Sequence, residues 1–237
     1  ALVAANGVLW KPSEHAPATA AVVARILADA GFPPGLLVTL PATRDAGPQL
    51  ADADIDYLVF TGSEPVGRAL AARLGERLVP SALELSGCDA MFVLQDADVP
   101  AAARAAWFGL TTNRGQTCIA VRRVFVPRTR FAEFVAVLEP LVRAAAPMPL
   151  VSAAQVEQLE GMIADAVDRG ATQLGTPGGP VVLLNAPPGA AVCREAAFGP
   201  VCAVIPFDTL DEAIGLVNDH AYGNGTAIFT RGSRPLK

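Results

Sequence analysis

Short, almost continuous apolar runs alternate with longer segments of helical periodicity along the first part of the chain. The runs predict four strands, at residues 7–10, 36–40, 56–60 and 81–85. The intervening segments predict helices at residues 16–30, 45–53 and 66–78. Strands that are apolar throughout and alternate with helices indicate βαβ units around a parallel sheet covered on both faces. The pattern therefore predicts an open α/β layer.

The pattern continues past Gly87 with a different spacing. Strands are predicted at residues 91–94, 121–126, 181–184, 201–207 and 227–230. Helices are predicted at residues 99–110, 131–145, 153–169 and 210–218, the first of them opened by Asp98-Val99-Pro100. No internal repeat is visible. The change of spacing divides the chain into an expected first domain at residues 1–86 and a second at residues 87–237.

Composition and charge narrow the class of protein. The 237 residues are 52% hydrophobic, yet no run of about 18 apolar residues predicts a spanning helix. The amino terminus shows no signal-peptide pattern, so we expect a soluble, cytoplasmic protein without membrane contact. With a net charge of −5 and scattered Lys and Arg residues, nucleic acid is not an expected partner.

The cysteines and histidines exclude several kinds of site. Cys88, Cys118, Cys193 and Cys202 form no C-x-x-C pair, and no His cluster accompanies them. Neither a zinc site nor a disulfide framework is expected. Only two histidines are present, so few residues could serve in a catalytic triad that contains histidine.

Two polar turns follow predicted strands in the first part of the chain. The turn from Gly62 and Ser63 to Gly67 opens a helix, where free amides favour an anion such as a pyrophosphate. An ordinary strand-to-helix turn is the alternative. Lys11-Pro12-Ser13-Glu14 ends another strand, where open α/β sheets bind ligands. There Lys11 and Glu14 could hold a ribose or phosphate, or the turn could be solvated with Ser13 capping the next helix.

Two further residues are candidates for chemistry. Glu84, in Leu83-Glu84-Leu85, ends an apolar strand, so it is either a base at a functional edge or a carboxylate neutralised by a partner. Cys118 follows the polar stretch Asn113-Arg114-Gly115-Gln116. A free cysteine is most often a small buried hydrophobe, but a polar turn supplies the exposure and amides that a reactive thiolate needs.

Taken in order, these motifs resemble the aldehyde dehydrogenase superfamily over essentially the whole chain. The family order is K-P-S-E, G-S-x-x-x-G, E-L-G-G, G-Q-x-C and E-E-x-F-G-P. The corresponding stretches here are Lys11–Glu14, Gly62–Gly67, Glu84–Gly87, Gly115–Cys118 and Glu195–Pro200. The resemblance implies a Rossmann-like parallel-sheet NAD-binding domain, partial here, and an α/β catalytic domain that lacks its C-terminal segment.

The resemblance also implies a mechanism and a set of site residues. Cys118 would attack an aldehyde carbonyl to give a thiohemiacetal, and Glu84 would activate the water that hydrolyses the later thioester. The Cys118 amide would help hold the oxyanion. The implied cofactor contacts are Lys11, Ser13, Glu14, Gly62, Ser63, Gly67, Leu85 and Phe198. NAD+ is expected rather than NADP+, because Glu14 would repel a 2′-phosphate, and a homo-oligomer is expected.

The sequence departs from the family pattern at several positions. Ala196 stands where the family has the Glu that binds the nicotinamide ribose, and Glu195 lies one residue too early to replace it. E-L-G-G-K is altered at Ser86, Cys88 and Asp89. A complete member is also expected to carry an upstream strand, an oxyanion-hole Asn and a C-terminal segment that this chain does not contain.

Two alternatives follow from these departures. The chain could be a truncated or degenerate domain that serves as a non-catalytic interaction or structural module. It could also be a CoA-acylating or phosphate-reducing relative, which uses the cysteine without a water-activating base, and Glu84 speaks against that class. The aldehyde is not predicted, because Trp107 and Phe108 could be core or substrate wall.

Overall fold

The computed structural model describes residues 1–176 and 178–232. The chain divides into two compact units, Ala1–Leu85 and Ser86–Lys237. A cofactor-binding role for the first unit and a catalytic role for the second remain predictions.

The first unit follows the predicted order of strands and helices. Its elements are a 3₁₀ turn at Leu2–Ala4, β1 (Val8–Trp10), α1 (Pro17–Asp29), β2 (Leu37–Thr39), α2 (Ala46–Asp52), β3 (Leu58–Thr61), α3 (Glu64–Gly75) and β4 (Ser81–Glu84). Strand β1 pairs in parallel with β2, and β3 pairs in parallel with β4, as two separate two-stranded sheets.

The expected two-sided covering of the sheet is wrong for the first unit. The apolar residues Val22, Val23 and Ile26 of α1 are exposed, Ile26 at 58%, and Ala20 is the helix's buried residue. Val59 on β3 is 72% exposed. The physical reason is that two-stranded sheets offer too little apolar area to cover a helix face.

The second unit contains the larger sheet. Its elements are β5 (Asp89–Val93), α4 (Val99–Thr111), β6 (Val121–Pro127), α5 (Phe131–Arg143), α6 (Ala153–Asp168), β7 (Thr172–Leu174), β8 (Val181–Leu184), α7 (Ala191–Arg194), β9 (Val201–Phe207), α8 (Leu210–Asn218) and β10 (Thr226–Phe229), with 3₁₀ turns at Thr112–Gly115 and Arg128–Arg130. The sheet order is β10-β5-β6-β9-β8-β7. All neighbours pair in parallel except β7, which runs antiparallel to β8.

Both faces of this sheet are covered, as the apolar strands predict. On one face Phe92 and Phe125 stack with ring centroids 5.3 Å apart and pack in a cluster that includes Leu159 and Met162 of α6. On the other face Val124 and its neighbours pack with α4 and α5. All five residues of β5 are buried. The second unit is thus a three-layer α/β/α arrangement, which confirms the predicted fold class.

Helix α4 leads directly into the candidate site. It begins where the Asp98 carboxylate accepts a hydrogen bond of 2.9 Å from the Ala101 amide, an N-cap that the sequence Asp98-Val99-Pro100 predicts. Five of its residues are buried, which fixes its position on the sheet. From the C-terminal end of α4 the chain forms the Cys118 turn and then enters β6.

Of the helices in residues 1–176 and 178–232, none combines the length and the hydropathy that crossing a membrane requires.

Candidate active site

Cys118 lies in the turn between α4 and β6, and its side chain is exposed. Cys88, Cys193 and Cys202 are all buried. Burial raises the pKa of the Cys193 and Cys202 thiols to about 12. Cys118 therefore does not fit the default expectation of a cysteine that fills a core. In the described part of the chain, no group of three or more His, Cys, Asp or Glu could hold a metal ion.

The backbone before Cys118 has an unusual conformation. Asn113, Arg114 and Gly115 are consecutive left-handed residues, with φ of 49°, 59° and 68°. Asn tolerates this region better than most residues, but a side chain such as that of Arg114 loses roughly 1–2 kcal/mol there, so the surroundings must hold Arg114 in place. A Cβ on Gly115 would lie 2.4 Å from the carbonyl carbon and oxygen of Gly199. Only glycine fits at that point.

Side-chain hydrogen bonds on the outer side hold the turn. The Asn113 side-chain amide donates to the Gln116 carbonyl at 3.0 Å, and Arg114 donates to the Pro149 carbonyl at 2.9 Å. The side-chain oxygen of the buried Gln116 accepts from the Val151 amide at 2.9 Å. The polar approach to Cys118 is thus an ordered structure.

On the inner side, the buried Arg122 of β6 holds the turn, and sequence reasoning missed this residue. Its guanidinium donates to the carbonyls of Gly115 (2.5 Å), Thr117 (3.2 Å) and Gly199. Burial lowers the pKa of Arg122 to about 10. The available signal was a pair of arginines, Arg122 and Arg123, inside an otherwise apolar strand.

The main chain of Cys118 is held at its carbonyl. The Asn224 side-chain amide donates to the Cys118 carbonyl at 3.3 Å, and a Cβ on Gly87 would lie 2.4 Å from the same oxygen. Within the described residues the Cys118 amide donates no hydrogen bond. An exposed thiol beside an uncommitted amide has the components of a nucleophile with an oxyanion donor.

The structure brings the segment of Phe198 to the Cys118 turn. Phe198 is 39% exposed and precedes Gly199, whose carbonyl accepts from Arg122 and packs on Gly115. Ala196 is half-buried, and Glu195 is exposed two residues before Ala197. The segment therefore presents an aromatic ring and, at the position of Ala196, no carboxylate.

Lys11, Ser13 and Glu14 form one polar turn at the end of β1. Lys11 and Arg44 pair with Glu14 at 3.2 Å and 3.0 Å. Hydrogen bonds from its own amide, Lys11 and Arg44 lower the pKa of Glu14 to about 2. Ser13 accepts from the His15 amide at 3.2 Å, and α1 begins at Pro17 with Ala16 as its N-cap. The reading of Ser13 as the cap of that helix is therefore wrong, because the chain turns once more before the helix begins.

Gly62 and Ser63 form the turn into α3, and Gly67 lies near the start of that helix. Ser63 is the N-cap with extended backbone, and its exposed hydroxyl makes no capping hydrogen bond. A Cβ on Gly67 would lie 2.4 Å from a Leu85 methyl, and one on Gly62 would lie 2.4 Å from the Phe60 ring. Small residues thus let the helix start approach Leu85 closely. Glu64 in its first turn pairs with Arg68.

Glu84 lies at the carboxyl end of β4, paired in register with Thr61 of β3. Its carbonyl accepts from the Gly62 amide at 3.0 Å. The side chain is exposed, and no ion pair holds it within residues 1–176 and 178–232. An ion-pair partner that would neutralise Glu84 is therefore not found among these residues, and its role as a base remains a prediction.

Comparison with known proteins identifies the family of the chain. The model of the aldehyde dehydrogenase family matches residues 1–236. The chain belongs to the aldehyde dehydrogenase family. The 4,4′-diapolycopene aldehyde oxidase of Methylomonas sp is 36% identical over 98% of this chain and 46% of that protein. The chain spans about half the length of the curated relatives it matches.

Solved structures of the family share its fold. An aldehyde dehydrogenase of Mycobacterium tuberculosis complexed with NAD+ superimposes with a TM-score of 0.90 at 33% identity, covering 95% of this chain and 51% of that one. An NADP-dependent glyceraldehyde-3-phosphate dehydrogenase of Bacillus halodurans C-125, complexed with NADP, gives 0.90 at 30% identity, covering 96% and 51%. The roles of individual residues in this chain remain predictions.

Proposed function

We propose that the protein oxidises an aldehyde to a carboxylic acid with NAD(P)+ as the electron acceptor and Cys118 as the nucleophile. The observation that carries the proposal is the exposed Cys118 thiol on an ordered turn of a chain of this family, where the Cys118 amide donates no hydrogen bond to any described residue.

The chemistry of Cys118 proceeds in two stages. The thiolate attacks the carbonyl carbon, and a carbon–sulfur bond forms as the carbonyl oxygen becomes an oxyanion that the Cys118 amide stabilises. When bound, the nicotinamide would supply the hydride acceptor that turns this thiohemiacetal into a thioester. Hydrolysis then breaks the carbon–sulfur bond, releases the acid and restores the thiol.

Glu84 is proposed as the base of the hydrolytic stage. A carboxylate that is exposed and free of an ion pair can take a proton from the attacking water. The same proton returns to the Cys118 sulfur or to solvent as the thiolate leaves. The proposal favours acid release over acyl transfer to another acceptor.

The proposed cofactor contacts lie in both units. In the first unit, Ser63 and the amides at the start of α3 would hold the pyrophosphate, where helix amides favour an anion, with Gly62, Gly67 and Leu85 shaping the turn. Lys11 and Glu14 would hold the adenosine ribose beside Ser13. In the second unit, Phe198 would pack near the nicotinamide ribose. The Ser63 hydroxyl makes no capping hydrogen bond, so it is available to bind the pyrophosphate. The methyl side chain of Ala196 cannot hydrogen-bond to a ribose.

NAD+ is proposed over NADP+. Glu14 is ionised at neutral pH, because its amide, Lys11 and Arg44 lower its pKa to about 2. The Glu14 carboxylate repels a 2′-phosphate and also engages Lys11 and Arg44, the two neighbouring cations that could otherwise bind one. We propose this preference for the present chain alone, since the Bacillus halodurans relative is described as NADP-dependent.

The residues flanking the turn favour an aldehyde with an apolar body. Phe108 is 71% exposed near the end of α4, and Ile119 beside Cys118 is also exposed. Trp107 instead packs against the core of the second unit. Phe108 is therefore the better candidate for a substrate wall. Assembly as a homo-oligomer remains a prediction from the family resemblance, and a cytoplasmic location remains a prediction from the sequence pattern.

The proposal is tested by aldehyde-dependent NADH formation with acetaldehyde, hexanal and benzaldehyde. Cys118→Ala should abolish the activity, while Cys193→Ala, which removes a buried thiol, should retain it once folding is verified. Activity in Cys118→Ala equal to that of the wild type would disprove the nucleophile assignment.

A non-catalytic interaction module is the second candidate. The missing carboxylate at Ala196 and the exposed apolar face of α1 favour it. NAD+ binding separates the two candidates: a thermal shift at millimolar NAD+ supports the dehydrogenase, and no shift together with no NADH formation supports the module.

A further inference from the structure

Arg122 is a buried cation whose hydrogen-bonding partners are main-chain carbonyls. Its side chain is 1% exposed, and no carboxylate lies within ion-pair distance of it in the part of the chain that the structure describes. Its Nε has no hydrogen-bond acceptor there. The buried Asp89 acts on Arg122 electrostatically but makes no ion pair with it among the described residues. Burying a charge without a contacting opposite charge is unfavourable, and an apolar side chain in such a place often stabilises a fold more. Stability alone therefore does not account for an arginine here.

The three carbonyls that Arg122 contacts belong to two segments, the turn that precedes Cys118 and the stretch that follows Phe198. Nη2 donates to Gly115 at 2.5 Å and to Thr117 at 3.2 Å, and Thr117 is the residue that precedes Cys118. Nη1 donates to Gly199, the residue that follows Phe198. One rigid guanidinium plane thus sets the directions of three peptide groups, which an ammonium on a flexible stem cannot do.

The segment that Arg122 holds is strained. Asn113, Arg114 and Gly115 are all left-handed, and Gly115 is in contact with the main chain of Gly199. The bonds of Asn113 and Arg114 fasten the outer side of the turn. Arg122 ties the inner side of the turn to β6 and so restrains the main chain that leads into Cys118.

We propose that Arg122 is a positioning residue, which fixes the main-chain geometry of the Cys118 turn and ties it to the Phe198–Gly199 segment through the carbonyls of Gly115, Thr117 and Gly199. Its catalytic consequence rests on the proposed function of Cys118. Its structural consequence, an ordered environment for the thiol, does not.

Arg123 provides a matched control. It is the next residue of β6, it is 3% exposed, and its guanidinium also donates to carbonyls, those of Cys88 and Leu216. It has an orphan Nε as well. Replacing it removes a buried arginine from the same strand but leaves all three contacts of Arg122 in place.

The test compares Arg122→Lys and Arg122→Met with Arg123→Lys. The first readout is the alkylation profile of Cys118, its rate of reaction with iodoacetamide against reagent concentration at one fixed pH, measured well below each unfolding midpoint. We expect the slope of this profile to change several-fold in both Arg122 variants, because the main chain around the thiol is no longer held in place, and to stay the same in Arg123→Lys. The second readout is steady-state turnover, where kcat should fall by about 10²-fold in Arg122→Met, as misplaced reacting groups do, with KM for NAD+ nearly unchanged.

The outcomes separate this inference from the proposed function. If Cys118→Ala keeps its activity, the proposed function fails, and the alkylation profile alone decides the role of Arg122. If Arg122→Met does not fold, Arg122→Lys decides it. An unchanged profile and kcat in a folded Arg122 variant would overturn the inference, and so would an equal change in Arg123→Lys.

Discussion

At the scale of the residue, the four cysteines occupy different environments. Cys118 is exposed on its turn, and Cys88, Cys193 and Cys202 are inside the second unit. Burial raises the pKa of all three interior thiols. A rise from 9.0 to about 12 lowers the thiolate fraction of Cys193 or Cys202 about 10³-fold at neutral pH. Chemical reactivity should therefore separate one thiol from the others.

Alkylation of the native protein should show this separation. We expect iodoacetamide at pH 7.5 to label Cys118 and to leave the other three thiols largely unmodified until denaturant is added. Peptide mapping by mass spectrometry measures the label at each site. Equal labelling of Cys118 and Cys193 in the folded protein would contradict the described burial.

The ionisation of Glu14 should make the stability of the first unit depend on pH. Its pKa is lowered from 4.5 to about 2, so it stabilises the first unit above pH 4.5 and loses that contribution as the pH falls toward 2. Because the pair with Lys11 is partly exposed, the contribution should stay below about 1 kcal/mol.

The measurement uses urea unfolding followed by the fluorescence of Trp10 in a Trp107→Phe background. Glu14→Gln should lower the midpoint at pH 7 and have little effect at pH 2, with Glu76→Gln as the exposed control in the same unit. A difference that grows as the pH falls would reverse the expected sign.

At the scale of the element, the Cys118 turn is set by close main-chain contact. Gly115→Ala would place a methyl 2.4 Å from the Gly199 main chain at a φ of 68°. We expect a loss of about 2 kcal/mol or more in the free energy of unfolding, together with loss of aldehyde turnover.

Gly161 of α6 is the matched control, because nothing lies within 4 Å of a Cβ built there. Gly161→Ala should stabilise the helix by roughly 0.5–1 kcal/mol. Urea midpoints of the two variants measure the contrast, and equal midpoints would show that the turn tolerates a side chain.

Sequence patterns predicted most elements because their periods are local. Strand β9 and helix α8 have the predicted bounds, Val201–Phe207 and Leu210–Asn218. The three-residue strand β7 was not predicted, since its pairing with β8 is a tertiary contact that leaves almost no local pattern. The hydrogen bond from Arg122 to the Gly199 carbonyl could not be predicted for the same reason, because the two residues are distant in sequence.

At the scale of the whole molecule, the two units differ in how much apolar surface they bury. The second contains two large buried clusters on the two faces of its sheet. The first buries few residues and exposes apolar side chains on α1 and β3. The same βαβ pattern predicted both, and it could not show that the first unit's strands would form two narrow sheets.

Hydrogen exchange should follow this difference in burial. Amides of β6 and β9 should be the most protected, and those of α1 should exchange much faster. Mass spectrometry of exchanged peptides measures the order. Equal protection of α1 and β9 would contradict the described burial of the two units.

The most direct test of the central claim is the fate of the acyl group in Glu84→Gln. With benzaldehyde and NAD+, this variant should accumulate a benzoyl thioester on the peptide that contains Cys118, seen as an added mass, while the wild type should release benzoate. Absence of the adduct with benzoate release at the wild-type rate, or an adduct on a different cysteine, would contradict the account.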